Sequence, residues 1–143
     1  ALLMITNRKQ ETLPMDNIQS AVSFLNSGRI KEAVDVIEPL IKNFQNEPLL
    51  YNIRGVCNHS CQNYKVAIED FQQAVELNPG YAEAYYNQGL AYKKICKYNE
   101  SIKSFKYALK IKSDYIDAYF DLGQILVTVG KFEEGIKTML CYV

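Results

Sequence analysis

Cys57, His59 and Cys61 lie within one short stretch of the chain, and thiols and imidazoles are both metal ligands and nucleophiles. On a helix the two cysteines, four apart, share a face and could grip one ion, but His59 points to another side. It is the single histidine among 143 residues, so a Cys–His nucleophilic pair has nowhere else to form. Glu133 and Glu134 offer adjacent carboxylates, but they stand in no acid/base motif and read as a solvated helix start favoured by the helix dipole. No glycine belongs to a phosphate-cradling loop. The expectation is of no catalytic residue, no metal and no cofactor, hence no enzyme.

Charge is balanced, 16 basic against 16 acidic residues, which draws the chain to neither nucleic acid nor an anionic membrane. Hydrophobic residues make up 48%, enough for a core. No apolar run approaches the roughly 18 residues of a membrane span. The four cysteines are irregularly spaced, so free thiols and a cytoplasmic setting are expected. Lysines gather in one quarter of the chain: Lys93, Lys94, Lys97, Lys103, Lys106, Lys110 and Lys112. They would suit an acidic partner, but most fall on one helix and read as its solvated face.

The elements that must position these groups are set by a repeat. Gly55, Gly89 and Gly123 recur every 34 residues, with Ala21 one interval earlier. Ala33, Ala67, Ser101 and Gly135 keep the same interval, as do Ile30, Tyr64, Tyr98 and Phe132. Ile37, Phe71, Phe105 and Met139 form a fourth series, and Tyr51, Tyr85 and Tyr119 a fifth. Apolar residues within a unit follow helical spacing, so each unit offers two amphipathic helices. A small residue in the first helix lets the second approach, and neighbouring units must stack to bury both faces. The same register places Cys57 and Cys61 at core positions, as structural cysteines.

Helices are expected near 15–27, 30–45, 49–61, 64–77, 81–95, 98–111, 115–128 and 132–142. Breakers at Ser27-Gly28, Cys61-Gln62-Asn63 and Val129-Gly130 turn the chain within units. Asn46-Glu47-Pro48 and Asn78-Pro79-Gly80 turn it between them. Pro39 falls inside a helix, where it typically costs ~3 kcal/mol, and predicts a bend near Asp35–Pro39. The final helix has no polar partner beyond it and is expected to expose some of Ile136, Met139, Leu140 and Val143.

The array resembles the tetratricopeptide repeat. Its third unit carries the match through Tyr85, Gly89, Leu90, Tyr92, Tyr98, Phe105 and Ala108, with Ser101 where alanine is usual. The second matches through Gly55, Tyr64, Ala67, Phe71, Ala74 and Pro79, and the fourth through Leu122, Gly123, Phe132 and Gly135. The resemblance implies an all-α solenoid of antiparallel helix pairs wound as a right-handed superhelix. About four units follow, at 14–47, 48–81, 82–115 and 116–143, with residues 1–13 as a tail or extra segment.

It also implies a concave groove lined by the first helices. Met15, Ile18, Val22 and Leu25 make its first part apolar, followed by Leu49, Asn52, Val56 and His59. Glu83, Tyr86, Leu90 and Lys93 come next, then Asp117, Phe120, Gln124 and Val127. Asn52, His59, Tyr86, Lys93, Phe120 and Gln124 are the candidate peptide contacts. Tyr86 and Phe120 are one repeat apart and suited to clasp a side chain, and Asn52 to hold a peptide backbone. Two ligand classes known in the family are disfavoured. The chaperone-tail clamp would need lysine and asparagine where Ile18 and Val22, or Asn52 and Val56, stand. The asparagine ladder would fall at Gln19, Ile53, Asn87 and Asp121, of which only Asn87 fits.

The leading expectation is therefore a scaffold that takes a protein or peptide partner in its groove, with no nucleic acid and no membrane involved. The alternatives are a homo-oligomer formed through the uncapped last helix and the repeat portion of a larger transferase-type enzyme. The register itself is open to test: Gly89→Leu should overpack its helix pair and lower stability by ~1–3 kcal/mol, read as a fall in thermal midpoint.

Overall fold

The computed structural model describes residues 11–141. Among them are eight helices and no strand: α1 (Met15–Asn26), α2 (Ile30–Asn43), α3 (Pro48–Ser60), α4 (Tyr64–Leu77), α5 (Ala82–Lys94), α6 (Tyr98–Ile111), α7 (Ile116–Thr128) and α8 (Phe132–Leu140). Their ends lie within two residues of the expected ones. Residues 1–10, most of the expected tail, and 142–143, with the expected exposure of Val143, lie outside the described residues. Each helix packs on the one before and the one after, and α3 also touches α5. The result is an α-solenoid of helix pairs.

Glycine sets the approach within pairs. A Cβ on Gly55 would stand 2.5 Å from the Phe71 ring, and one on Gly89 2.7 Å from the Phe105 ring. On Gly123 it would meet the Met139 side chain. Phe71 and Phe105 are thereby buried. Ser101, in place of the usual alanine, is also buried, and its hydroxyl donates to the Gly89 carbonyl at 2.7 Å, so the departure leaves no polar atom unsatisfied.

The residue preceding each of these glycines is Arg54, Gln88 or Leu122. Leu122 packs in the core, whereas the other two are answered by polar partners. Arg54 makes two hydrogen bonds to Asp70 Oδ1, at 2.7 and 3.1 Å, and reaches Glu38 at 3.4 Å. Gln88 accepts from the Ser104 hydroxyl at 3.1 Å and donates to Gln72 at 2.9 Å. Both sets cross from one unit to the next and therefore fix how the units align.

One expectation needs correction. Cys61 is exposed, not buried: α3 ends at Ser60, so Cys61 belongs to the turn, while Cys57 alone joins the core. The pairing of two buried cysteines therefore does not arise. The expected helix α2 does run on through Pro39. Pro39 and Asp35 are both exposed, so water can reach the Asp35 carbonyl that the proline leaves without a donor. As expected, the last helix is uncovered: Ile136 and Leu140 are 55% and 57% exposed.

The turn inside each unit repeats atom for atom. Arg29, Asn63, Lys97 and Lys131 each donate a backbone N–H to a carbonyl five residues back, at 2.8–3.0 Å. The residue before each has positive φ: Gly28 (75°), Gln62 (62°), Cys96 (59°) and Gly130 (88°). This is the helix-ending motif that favours glycine, and two of the four turns lack it. Left-handed backbone costs an ordinary residue roughly 1–2 kcal/mol. Cys96→Gly should therefore raise stability by about 1 kcal/mol after the added unfolded-state freedom is subtracted. Gly130→Ala should lower stability even though a Cβ there meets nothing within 4 Å. Thermal melts of the two variants check both signs.

Candidate functional site

The first helices α3, α5 and α7 bring a run of polar and aromatic residues side by side. Asn52 on α3 is only 3% exposed. Its Nδ2 donates to the Tyr81 hydroxyl at 3.1 Å, and its Oδ1 accepts from Asn87 Nδ2 at 3.0 Å. One unit later the pattern recurs with other chemistry. The Tyr86 hydroxyl donates to Asp121 Oδ2 at 2.7 Å. Both links span 35 residues, joining the fifth position of one first helix to the sixth of the next. The loop tyrosine that precedes each helix closes over the same place: Tyr81 at Asn52, and Tyr115 on Tyr86 with ring centroids 4.9 Å apart.

Asp121 is the hub of the second half. Lys93 Nζ reaches its Oδ1 at 3.4 Å and donates to Gln124 Oε1 at 3.2 Å. The Tyr86 ring also lies 5.6 Å from Phe105, so the network is anchored in the core. Burial and the carboxylate of Asp121 hold the Tyr86 phenol protonated far above its ordinary range. Tyr115 is pushed up to about 12, first by burial and then by the charges of Glu83 and Asp117. Tyr81 is likewise raised to about 12, by burial and then by Glu83, against the opposing hydrogen bond from Asn52.

The six candidate contacts divide. Tyr86, Lys93 and Gln124 fall into the single network around Asp121. Asn52 lies one unit earlier, buried, with its donor and acceptor both engaged. His59 stands apart, half-buried, edge-on to Tyr64 at 5.1 Å. Phe120 is 55% exposed on α7. Of the other expected lining, Ile18 belongs to the core between α1 and its neighbours, and Val56 and Leu90 pack partly buried between helices. Asp121, Tyr81 and Tyr115 were not among the candidates. The 34-residue spacing of the two tyrosines was the available signal.

Among the described residues, no group of three or more His, Cys, Asp and Glu is placed to hold a metal. No helix there is long and apolar enough to cross a membrane. The described lysines outside the network are exposed, Lys103, Lys106 and Lys110 on α6 among them.

A stack of helix pairs in one repeating register, presenting a polar and aromatic inner face, is the architecture of a repeat scaffold. The chain belongs to the tetratricopeptide-repeat family: the TPR repeat model matches residues 59–95 and 97–130. Membership makes it a protein-interaction scaffold in the general sense. Solved structures agree on the fold. A crystal structure of MamA is similar with a TM-score of 0.81 at 24% identity, over 87% of this chain and 73% of that one. The first TPR of Spaghetti (RPAP3) bound to the HSP90 peptide SRMEEVD matches at 0.77 and 23% identity, over 80% and 91% of the two chains. The second TPR domain of human RPAP3, in complex with the HSP70 peptide SGPTIEEVD, matches at 0.72 and 23%, over 78% and 92%.

His59 gives the fold a pH dependence. Its Nε2 is buried with no hydrogen-bond partner among the described residues. Burial and then the charge of Lys94 hold its pKa below the ordinary 6.5. The folded chain therefore binds this proton less readily than the unfolded chain. The resulting stability is present above pH 6.5 and is lost as pH falls through the depressed folded value. The thermal midpoint should drop across that window in the native chain, and His59→Gln should flatten the slope.

Proposed function

We propose that the chain holds an extended segment of a protein partner across the inner face of α5 and α7. The observation that carries this reading is Phe120, a large aromatic left 55% exposed among neighbours that are held in place by hydrogen bonds. Exposed aromatics on a rigid frame are typical anchors of binding energy. Asp117, Phe120, Asp121 and Gln124 follow one another at helical spacing and so share one face of α7. The similar RPAP3 domains are bound to chaperone peptides, which supports a peptide-holding role for this fold, though the lysine and asparagine of a chaperone-tail clamp are missing here. A cytoplasmic setting fits the exposed free thiols of Cys61, Cys96 and Cys141.

The uncovered α8 supports a second reading, self-association. Phe132 and Ile136 occupy the positions at which Tyr98 and Ile102 are partly covered in the preceding unit. Its nine residues span about 14 Å, a small surface beside the roughly 800 Å² per partner of a stable interface. On α1 the open surface is mixed, carrying Asp16, Gln19, Ser20 and Ser23 beside Phe24.

Affinity capture compared across variants separates the two readings. Phe120→Ala should reduce partner recovery about tenfold, and Ile136→Ser should leave it unchanged. Recovery lost only with Ile136→Ser, together with a mass that grows with concentration in light scattering, would transfer function to α8.

A further inference from the structure

The charges around Phe120 are not all used by the fold. Asp121 is: Tyr86 and Lys93 both hold it. Lys93 is thereby neutralised and further restrained by Gln124. Glu83 and Asp117 remain. Both are exposed, in the first turns of α5 and α7, and neither has an ion-pair or hydrogen-bond partner among the described residues. Helix dipoles favour acids at these places, which explains why the fold tolerates them. It does not consume their charge.

The two carboxylates border aromatic residues. Glu83 stands one turn before Tyr86 on α5, and the Tyr115 ring rests on Tyr86. Asp117 precedes Phe120 by three residues, and thus by one turn. A cation of the chain itself already uses this surface: Lys112 Nζ lies 4.9 Å over the Tyr115 ring centroid. Rings bordered by carboxylates attract a cation by quadrupole and by charge together. The exposed Lys94 sits at the far end of α5, so the acidic end of the groove is the end that carries Phe120.

We infer that the segment held here is basic and apolar: an aliphatic or aromatic side chain seated on Phe120, with an arginine or lysine beside it reaching Glu83 and Asp117. This rests on the groove reading above and adds the partner's class to it. It also inverts the charge of the acidic peptides seen with the RPAP3 relatives. A carboxylate-rich tail entering this end would meet two unpaired carboxylates, and like charges set against each other reject a partner.

The test is selection of short random peptides on the immobilised full chain at low salt. The expected pool combines arginine or lysine with a large apolar residue. The double variant Glu83→Gln/Asp117→Asn keeps side-chain size and helix-start chemistry, and melting curves confirm its fold. It should cut enrichment of that pool about tenfold, as should raised salt, and so should Phe120→Ala. A pool that is acidic or uncharged, lost with Phe120→Ala but indifferent to the double variant, would leave the groove in place and overturn the basic class. A pool indifferent to Phe120→Ala, or no enriched pool at all, would overturn both.

Discussion

The bare Cα of a glycine, with a phenyl ring or a thioether laid across it, governs the distance between the helices of each later pair. Gly55 under Phe71, Gly89 under Phe105 and Gly123 under Met139 leave no room for a methyl group. Because each contact is backbone against side chain, it brings the two axes nearer than two ordinary side chains would allow. The axis separation then decides which residues of consecutive first helices come within hydrogen-bond reach. In the first unit Ala21 takes this place and is fully buried, with the smaller Ile37 for a partner in the core.

On that frame the inner face is organised by one connection used twice with different chemistry. Asn87 to Asn52 is an amide pair, buried and neutral; Tyr86 to Asp121 is a phenol on a carboxylate that also draws in Lys93. The change from amide to charge divides the groove. Its earlier part is closed, since Asn52 has its groups engaged by Tyr81 and Asn87. Its later part holds Tyr86, Asp121, Lys93 and Gln124 in one network, with Phe120 exposed on the same helix as Asp121 and Gln124. Rigidity under an exposed aromatic means that little side-chain freedom remains to be lost when a partner arrives.

Much of this was legible in the residues. Five series at one interval gave the helix pairs and their ends, because size alternation at the helix contact is a property of single positions. Tyr86, Lys93 and Gln124 could be placed on one face through the resemblance to the tetratricopeptide repeat, whose first helices line the groove. Asp121 could not, since its importance comes from a 35-residue offset that exists only once the units are stacked. Asn52 looked like a free amide because its two partners come from a loop and from the next unit. Cys61 was set in the core by register alone, and the end of α3 one residue earlier put it outside. Pro39 was read by its cost in a helix interior, and its exposure on α2 changes where the lost donor matters.

The pattern of neighbours has a dynamic consequence. Apart from the touch between α3 and α5, the principal packing is between consecutive helices, so the chain behaves as a line of coupled elements and not as a shell around one centre. In such a line the opening of each element depends on the helices directly beside it, and amide exchange would follow how firmly those neighbours hold it. On the reading proposed above, a segment laid across α5 and α7 would tighten the element against which α8 rests, and the gain in protection would spread to a helix the segment never touches.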